Sequence, residues 1–319
     1  MPRFLKDHRI QLLAAILLAV LAGLIVREMG GHFRQTAYYR DVAIDMGIAI
    51  VLAVSLNLIN GHTGQFSLGH AGFMSVGAYV SAMITLALQK SMGSDSLAWS
   101  FLPALIAGGL VAALSGLLVG IPSLRLRGDY LAIVTLGFGE IIRVIFQNLE
   151  AAGGASGLSG IPKLSGLPWA IGFAAVTVYV VGCLVNSTYG RGFIAVHDDE
   201  IAASSMGLNP VRYKVTAFVI GAFFAGIAGG LYAHHKTSIT PQAFDFMKSF
   251  EVVVMVILGG MGRTTGVILA AILLTFLPES LRQFSEYRMI IYALLIIFLM
   301  LARPQGLFNF ERKKKPVAP

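Results

Sequence analysis

Charge and cysteine are both scarce in this chain of 319 residues. Asp, Glu, Lys and Arg make up only 13% of the residues, which is too little charge to cover a soluble domain of this size. The single cysteine, Cys183, lies inside an apolar run, so no disulfide can form within the chain. Hydrophobic residues make up 56% of the chain and its mean hydropathy is +0.76. This composition indicates a polytopic membrane protein.

Signatures of catalysis and of nucleotide binding are also missing. The sequence has no Gly-x-x-x-x-Gly-Lys-Ser/Thr phosphate loop, no Cys/His pairs at zinc spacing and no nucleophile elbow. We therefore expect that the chain is not an enzyme and binds no metal or cofactor itself. Its net charge of +8 comes from short loops and tails. Basic residues there orient membrane spans, so nucleic-acid binding is not expected.

Apolar segments long enough, or nearly long enough, to cross a hydrocarbon core of about 30 Å recur along the sequence. They predict a single all-α transmembrane domain, residues 1–319, with about ten helices and a range of eight to ten. The first segment follows Arg3, Lys6 and Arg9, and we interpret it as a retained span rather than a cleaved signal peptide. The segments run over 10–26, 41–59, 67–88, 99–120, 130–146, 169–185, 215–233, 249–260, 266–281 and 289–301.

Basic residues in the loops predict the orientation of these spans. An even number of spans with both termini in the cytoplasm places most Lys and Arg on the cytoplasmic side. The regions on that side are Arg125 and Arg127, the segment 187–214, Arg263 and the basic tail 303–319.

The segment 187–214 is the most highly charged interruption of the apolar pattern. Its charges exclude it from the hydrocarbon; they are Arg191, Asp198, Asp199, Glu200, Arg212 and Lys214. The pattern predicts one short helix that begins at Gly192 and ends at a left-handed Gly207, with Pro210 preventing its continuation. A compact charged helix on one side of a membrane is typical of docking to a partner. A solvated helix without a docking role is the alternative.

Two glycine-rich interruptions fall within otherwise apolar sequence. The first, 56–73, places glycines among polar residues: Asn57, Asn60, Gly61, His62, Gly64, Gln65, Ser67, Gly69, His70 and Gly72. The second contains Gly259, Gly260 and Gly262. Non-helical backbone at membrane depth persists where protein or a water-filled cavity satisfies it, so we predict that both breaks line a translocation pathway. A surface turn with close packing of small residues is the alternative.

Ionisable residues inside the predicted spans are further candidates. Glu140, Arg143 and Gln147 share one helical face. An ionisable residue within a span is a functional candidate unless it is paired, and mutual pairing of Glu140 with Arg143 is the alternative here. The same ambiguity applies to Asp45 and His70. We therefore place Glu140, Arg143 and His70 provisionally along the pathway.

A further glycine-rich stretch lies in a predicted outer loop. Gly153, Gly154, Gly157 and Gly160 would expose backbone amides that approach a ligand or partner. An ordinary flexible loop is the alternative.

Several motifs resemble one family of membrane proteins. The run LNLINGHTGQFSLGHAGF at 56–73, with GAY at 77–79, resembles the opening signature of permease subunits of branched-chain amino acid ABC importers. Four later stretches are similar to the M-type subunit of that system: 130–143, 153–162, 198–207 and 303–308. The resemblance covers nearly the whole chain.

This resemblance implies a set of partners in the lipid bilayer of a bacterial inner membrane. They are a second, H-type permease subunit, two cytoplasmic ABC ATPases that use ATP and Mg, and a periplasmic or extracellular substrate-binding protein. Ala202, Ala203 and Gly207 are similar to the Ala-Ala-x-x-x-Gly core of the ABC permease coupling loop. The resemblance thus assigns coupling to the ATPases to Arg191, Gly192, Asp198, Asp199, Glu200, Ala202, Ala203 and Gly207.

The sequence leaves other transport functions open. Closely similar permeases serve urea and short-chain amides, so the cargo depends on the binding protein. A secondary transporter that works without ATP is a further alternative, in which Asp45, Glu140 and His70 would drive transport.

Overall fold

The computed structural model describes residues 33–92, 97–123, 129–281 and 287–302. Helices dominate these ranges, and the two short strands form one antiparallel pair. The helices are α1 (Phe33–Asn57), α2 (His70–Met92), α3 (Leu97–Ser123), α4 (Asp129–Asn148), α5 (Leu167–Asn186), α6 (Thr188–Asp198), α7 (Glu200–Ser205), α8 (Pro210–Lys236), α9 (Phe246–Gly259), α10 (Thr264–Ser280) and α11 (Arg288–Ala302). The strands are β1 (Leu158–Ser159) and β2 (Ser238–Ile239).

Every predicted apolar segment from residue 41 onwards coincides with a helix. Among the described residues, six helices are long and apolar enough to cross a membrane, namely α1 to α5 and α8. Helices α9 and α10 are shorter, with 14 and 17 residues. The predicted first span at 10–26, the pair Arg125 and Arg127, and the basic tail 303–319 lie outside the described residues. The fold is therefore a multi-pass helical one, and the total of about ten spans stays a prediction.

Helix α8 forms the centre of the molecule because glycines let its neighbours approach closely. A Cβ atom added at Gly229 would lie 1.9 Å from the carbonyl oxygen of Met74 on α2, and one at Gly226 would lie 2.5 Å from Ala112 Cβ on α3. Such close approach is typical of helix pairs in membranes. The rings of Phe73 and Phe218 extend this contact, with centroids 5.4 Å apart.

The connections between helices gather at two ends of the bundle. At one end β1 pairs with β2, and Lys236 Nζ lies 2.8 Å from Asp45 Oδ2. At the other end lie the glycine-rich break after α1, the turn around Gly262 and the helices α6 and α7. This alternation agrees with the predicted grouping of the loops into two sets.

Candidate functional site

The chain leaves α-helical geometry after Asn57, as the glycine-rich sequence predicts. Leu58–His62 forms a π-helical turn, and residues 63–69 follow as extended chain and bends before α2 begins at His70. Thr63 Oγ1 donates to the carbonyl of Ile59 at 2.8 Å, and Ser67 N–H donates to Asn60 Oδ1 at 3.2 Å. These local bonds replace helical ones, which is how a broken helix persists inside a membrane protein.

Three neighbouring helices supply hydroxyl groups to this break. Ser55 on α1 lies 2.9 Å from His70 Nε2. Thr135 on α4 accepts a hydrogen bond from Leu68 N–H, and Ser249 on α9 accepts one from Ala71 N–H, each at 3.0 Å. Sequence reasoning did not single out these three residues, since an isolated Ser or Thr in an apolar helix commonly bonds to its own backbone.

Several polar groups of the break have no hydrogen-bond partner within the described chain. They are both amide atoms of Gln65, the hydroxyl of Ser67 and Nδ1 of His70, and all three residues are almost fully buried. A buried polar group without a partner costs about 1–3 kcal/mol. The break therefore concentrates hydrogen-bonding capacity in the interior, as expected of a segment that meets a polar solute or water.

The two glycine-rich breaks contact each other. Gly262 N–H donates to Asn57 Oδ1 at 2.9 Å. A Cβ atom at Gly61 would lie 2.2 Å from the backbone nitrogen of Gly262. Gly259 is equally confined, because its Cβ would lie 2.4 Å from Val267 Cα. The two glycine-rich breaks, which are far apart in the sequence, are thus in contact. Gly260, at φ 90°, turns the chain after α9 toward Gly262.

The charged segment 187–214 contains two helices, so the prediction of one helix beginning at Gly192 is wrong. Ser187 caps α6 by accepting from Gly190 N–H at 3.1 Å, and the helix begins before Gly192. Gly192 lies within α6, where its Cβ would be 2.3 Å from the Tyr213 ring. The glycine is therefore needed for contact with α8 and not for starting a helix.

Asp199 divides the segment. Its backbone is extended at φ −156°, and its Oδ1 accepts from the N–H groups of Ile201 and Ala202 at 2.8 and 3.0 Å. Asp199 is thus the N-cap of α7. Gly207 has the predicted left-handed conformation at φ 83°. Pro210 does more than prevent continuation, since it occupies the first turn of α8, where proline is favoured.

Helix α7 and its C-cap residue Met206 expose apolar side chains although they lie on a charged segment. Met206 is 84% exposed and Ile201 is 69% exposed, whereas Ala203 is buried. Glu200 anchors the helix, because its carboxylate lies 2.8 Å from the buried Lys214 Nζ on α8. Of the other predicted coupling residues, Arg191, Asp198 and Ala202 are exposed. Exposed apolar side chains beside charges are typical of a protein-docking surface.

The charged segment also contacts the glycine-rich break. A Cβ atom at Gly64 would lie 2.4 Å from His197 Nδ1, near the end of α6. Helix α6, the π-helical turn and the turn at Gly262 therefore form a continuous series of contacts. Sequence reasoning assigned Gly64 and the charged segment to separate roles and did not predict their contact.

The other candidate residues are paired or lie away from this site. Arg143 pairs with Glu140 at 2.7 Å, which was the alternative to a pathway role. Asp45 pairs with Lys236 at the opposite end of the bundle. The glycines of the predicted outer loop, 153, 154, 157 and 160, form a turn region near β1, and a Cβ at Gly157 would lie 2.0 Å from the carbonyl oxygen of Ile239 in β2. That contact makes the loop an ordered one.

Comparison with known proteins identifies the family. Residues 38–300 match the family described as branched-chain amino acid transport system / permease component. The high-affinity branched-chain amino acid transport system permease protein LivM of Salmonella typhimurium is 38% identical over 92% of this chain and 75% of its own length, and LivM of Escherichia coli K12 matches equally. LivH of Escherichia coli K12 is 26% identical over 83% of this chain and 92% of its own length. No solved structure matches. The chain belongs to the family of branched-chain amino acid transport permeases.

Proposed function

We propose that this chain is the M-type permease subunit of an ABC importer for leucine, isoleucine and valine. Its relatives LivM and LivH are both named as permease proteins of branched-chain amino acid transport systems. The proposal rests mainly on one observation: helix α7 is capped and exposed, and its neighbour α6 contacts the buried polar break. Such an arrangement suits a subunit that is moved by an ATPase on one side and moves a solute on the other.

The partners follow from this role. A second permease of the H type completes the transmembrane pathway, and two ATPase subunits that use ATP and Mg dock on α6 and α7. A binding protein on the outer side delivers the amino acid. Both termini lie in the cytoplasm and about ten spans cross the bacterial inner membrane, because this arrangement puts the charged segment beside the ATPases.

The contacts suggest how docking reaches the pathway. When α6 moves, His197 presses on Gly64 and displaces the first break. The first break in turn displaces the second, because Asn57 at its start is hydrogen-bonded to Gly262. Both breaks lack regular helical bonds, so they can repack at lower cost than a continuous helix. Alternating access requires such an element with two packings. We therefore place Asn57, Gly61, Gly64, Gln65, Ser67, His70, Gly259, Gly260 and Gly262 at the gate.

A cap variant tests docking on α7. Asp199→Lys removes the acceptor for two N–H groups and places a positive charge at the positive end of a helix. Asp199→Asn is the matched control, since asparagine is an equally good N-cap. We expect the ATPases to co-purify with the Asn variant and to be lost, at least tenfold, from the Lys variant. The amount of chain inserted into membranes should be the same for both.

If the Lys variant retained the ATPases and its ATP-driven transport were unchanged, α7 would not be the docking helix.

The cargo is tested separately by measuring how solutes stimulate ATP hydrolysis. Leucine with its binding protein should stimulate the intact complex, while stimulation by urea or acetamide alone would move the assignment to those solutes.

A further inference from the structure

Two ion pairs lie on the surfaces of α4 and α9, one in the second half of α4 and one in the first turns of α9. Arg143 and Glu140 are 2.7 Å apart, and Lys248 and Glu251 are 2.8 Å apart. Their side chains are between 25% and 39% exposed. The part of the chain that the structure describes therefore leaves these four charges partly uncovered.

Both pairs lie at the depth where α2 begins. A Cβ atom at Gly72 would lie 2.9 Å from Gly139 Cα on α4, one residue before Glu140. Ala71 N–H donates to Ser249 on α9, the residue after Lys248. The two ion pairs thus approach the first turn of α2 from two neighbouring helices and share one level.

That level coincides with the apolar part of α8. Phe73, the next residue of α2, packs its ring on Phe218, and Phe218 lies within the stretch of α8 that is long and apolar enough to cross a membrane. Charges beside such a stretch cost free energy against lipid tails unless protein covers them.

Other exposed helix faces in the described chain are suited to lipid. Helix α3 exposes Leu110, Leu114 and Leu118, and α5 exposes Val176 and Val180. The surface of α4 and α9 differs, because exposed apolar residues surround the ion pairs there. They are Ile141, Val144, Met247 and Phe250. Methionine and aromatic side chains beside a few charges are typical of the core of a protein interface.

We infer that this surface of α4 and α9 is where the second permease subunit docks. The inference deepens the proposed function and rests on it. A partner from the same family is related to this chain over most of its length, since LivH relatives match 83% of this chain. Two such subunits can meet through corresponding faces about a pseudo-twofold axis. Polar groups of the partner then hydrogen-bond to the exposed atoms of the ion pairs. These bonds determine how the two subunits align and which partner binds.

Site-specific photo-crosslinking tests the inference in the assembled complex within membranes. Benzoyl-phenylalanine replaces Val144 on α4 or Phe250 on α9, which are 46% and 47% exposed. The matched controls are Leu114 on α3 and Val176 on α5, which are exposed apolar residues at 61% and 49%. We expect a covalent adduct with the second permease from positions 144 and 250. The control positions should give adducts with lipid alone.

Adducts with the second permease from positions 114 or 176, and none from 144 or 250, would overturn the inference. Absence of any adduct from 144 and 250 while the second permease co-purifies with the chain would overturn it as well. Failure of the second permease to co-purify at all would instead remove the proposed function, so the two failures are distinguishable.

Discussion

At the scale of single residues, two side chains at the candidate sites accept hydrogen bonds from backbone N–H groups that have no helical partner. Asn57 closes α1 and holds Gly262 N–H at 2.9 Å, while Asp199 starts α7 by holding two N–H groups. The sequence indicated Asn57 as a polar residue within an apolar stretch, and it indicated Asp199 as part of the charged segment 187–214 and through the family resemblance. It could not indicate their partners, since Asn57 and Gly262 are 205 positions apart. Contacts at that separation depend on tertiary packing.

Replacing Asn57 by leucine should loosen the contact between the two breaks. The variant leaves Gly262 N–H without its acceptor, and we expect the free energy of unfolding to fall by about 1–3 kcal/mol. Asn148→Leu is the control, because Asn148 is exposed and bonds only to its own helix at Val144. Its effect should stay within about 0.5 kcal/mol. Thermal unfolding of the purified chain measures both, and equal stability of the two variants would contradict the role of Asn57.

At the scale of helices, apolar segments predicted the elements well. Apart from α1, which begins at Phe33 and not at residue 41, the predicted spans from residue 41 onwards begin and end within about five residues of the observed helices, because the bilayer imposes length and hydrophobicity on each segment. The division of 187–214 into α6 and α7 was not predicted. Gly192 was interpreted as a helix start from its local sequence, whereas its position is determined by the ring of Tyr213 on α8.

Close helix packing at Gly229 gives a test at this scale. A methyl group there would lie 1.9 Å from the carbonyl oxygen of Met74, so Gly229→Ala must push α2 away from α8. Overpacking of this kind costs about 1–3 kcal/mol. Gly172→Ala on α5 is the control, since no atom lies within 4 Å of its added Cβ. We expect Gly229→Ala to lower the unfolding temperature and Gly172→Ala to preserve it. The same unfolding temperature for both would show that α2 and α8 do not pack this closely.

At the scale of the whole molecule, we propose a permease with three working surfaces. In this proposal α6 and α7 face the ATPases, the polar break forms the interior gate, and α4 with α9 faces the second permease. The first and third surfaces carry charges and the gate carries buried polar groups, whereas the exposed residues named above on α3 and α5 are apolar. The family gives the cargo class, branched-chain amino acids.

Leucine uptake decides between ATP-driven import and its alternatives. The chain, a second permease and two ATPases are reconstituted into proteoliposomes, with binding protein outside and ATP with Mg inside. We expect labelled leucine to enter only when both ATP and the binding protein are present, and the Asp199→Lys variant to abolish this entry. ATP hydrolysis without leucine entry would direct the assignment to urea or amides. Leucine entry without ATP would contradict the account, because α6 and α7 would then have no coupling role.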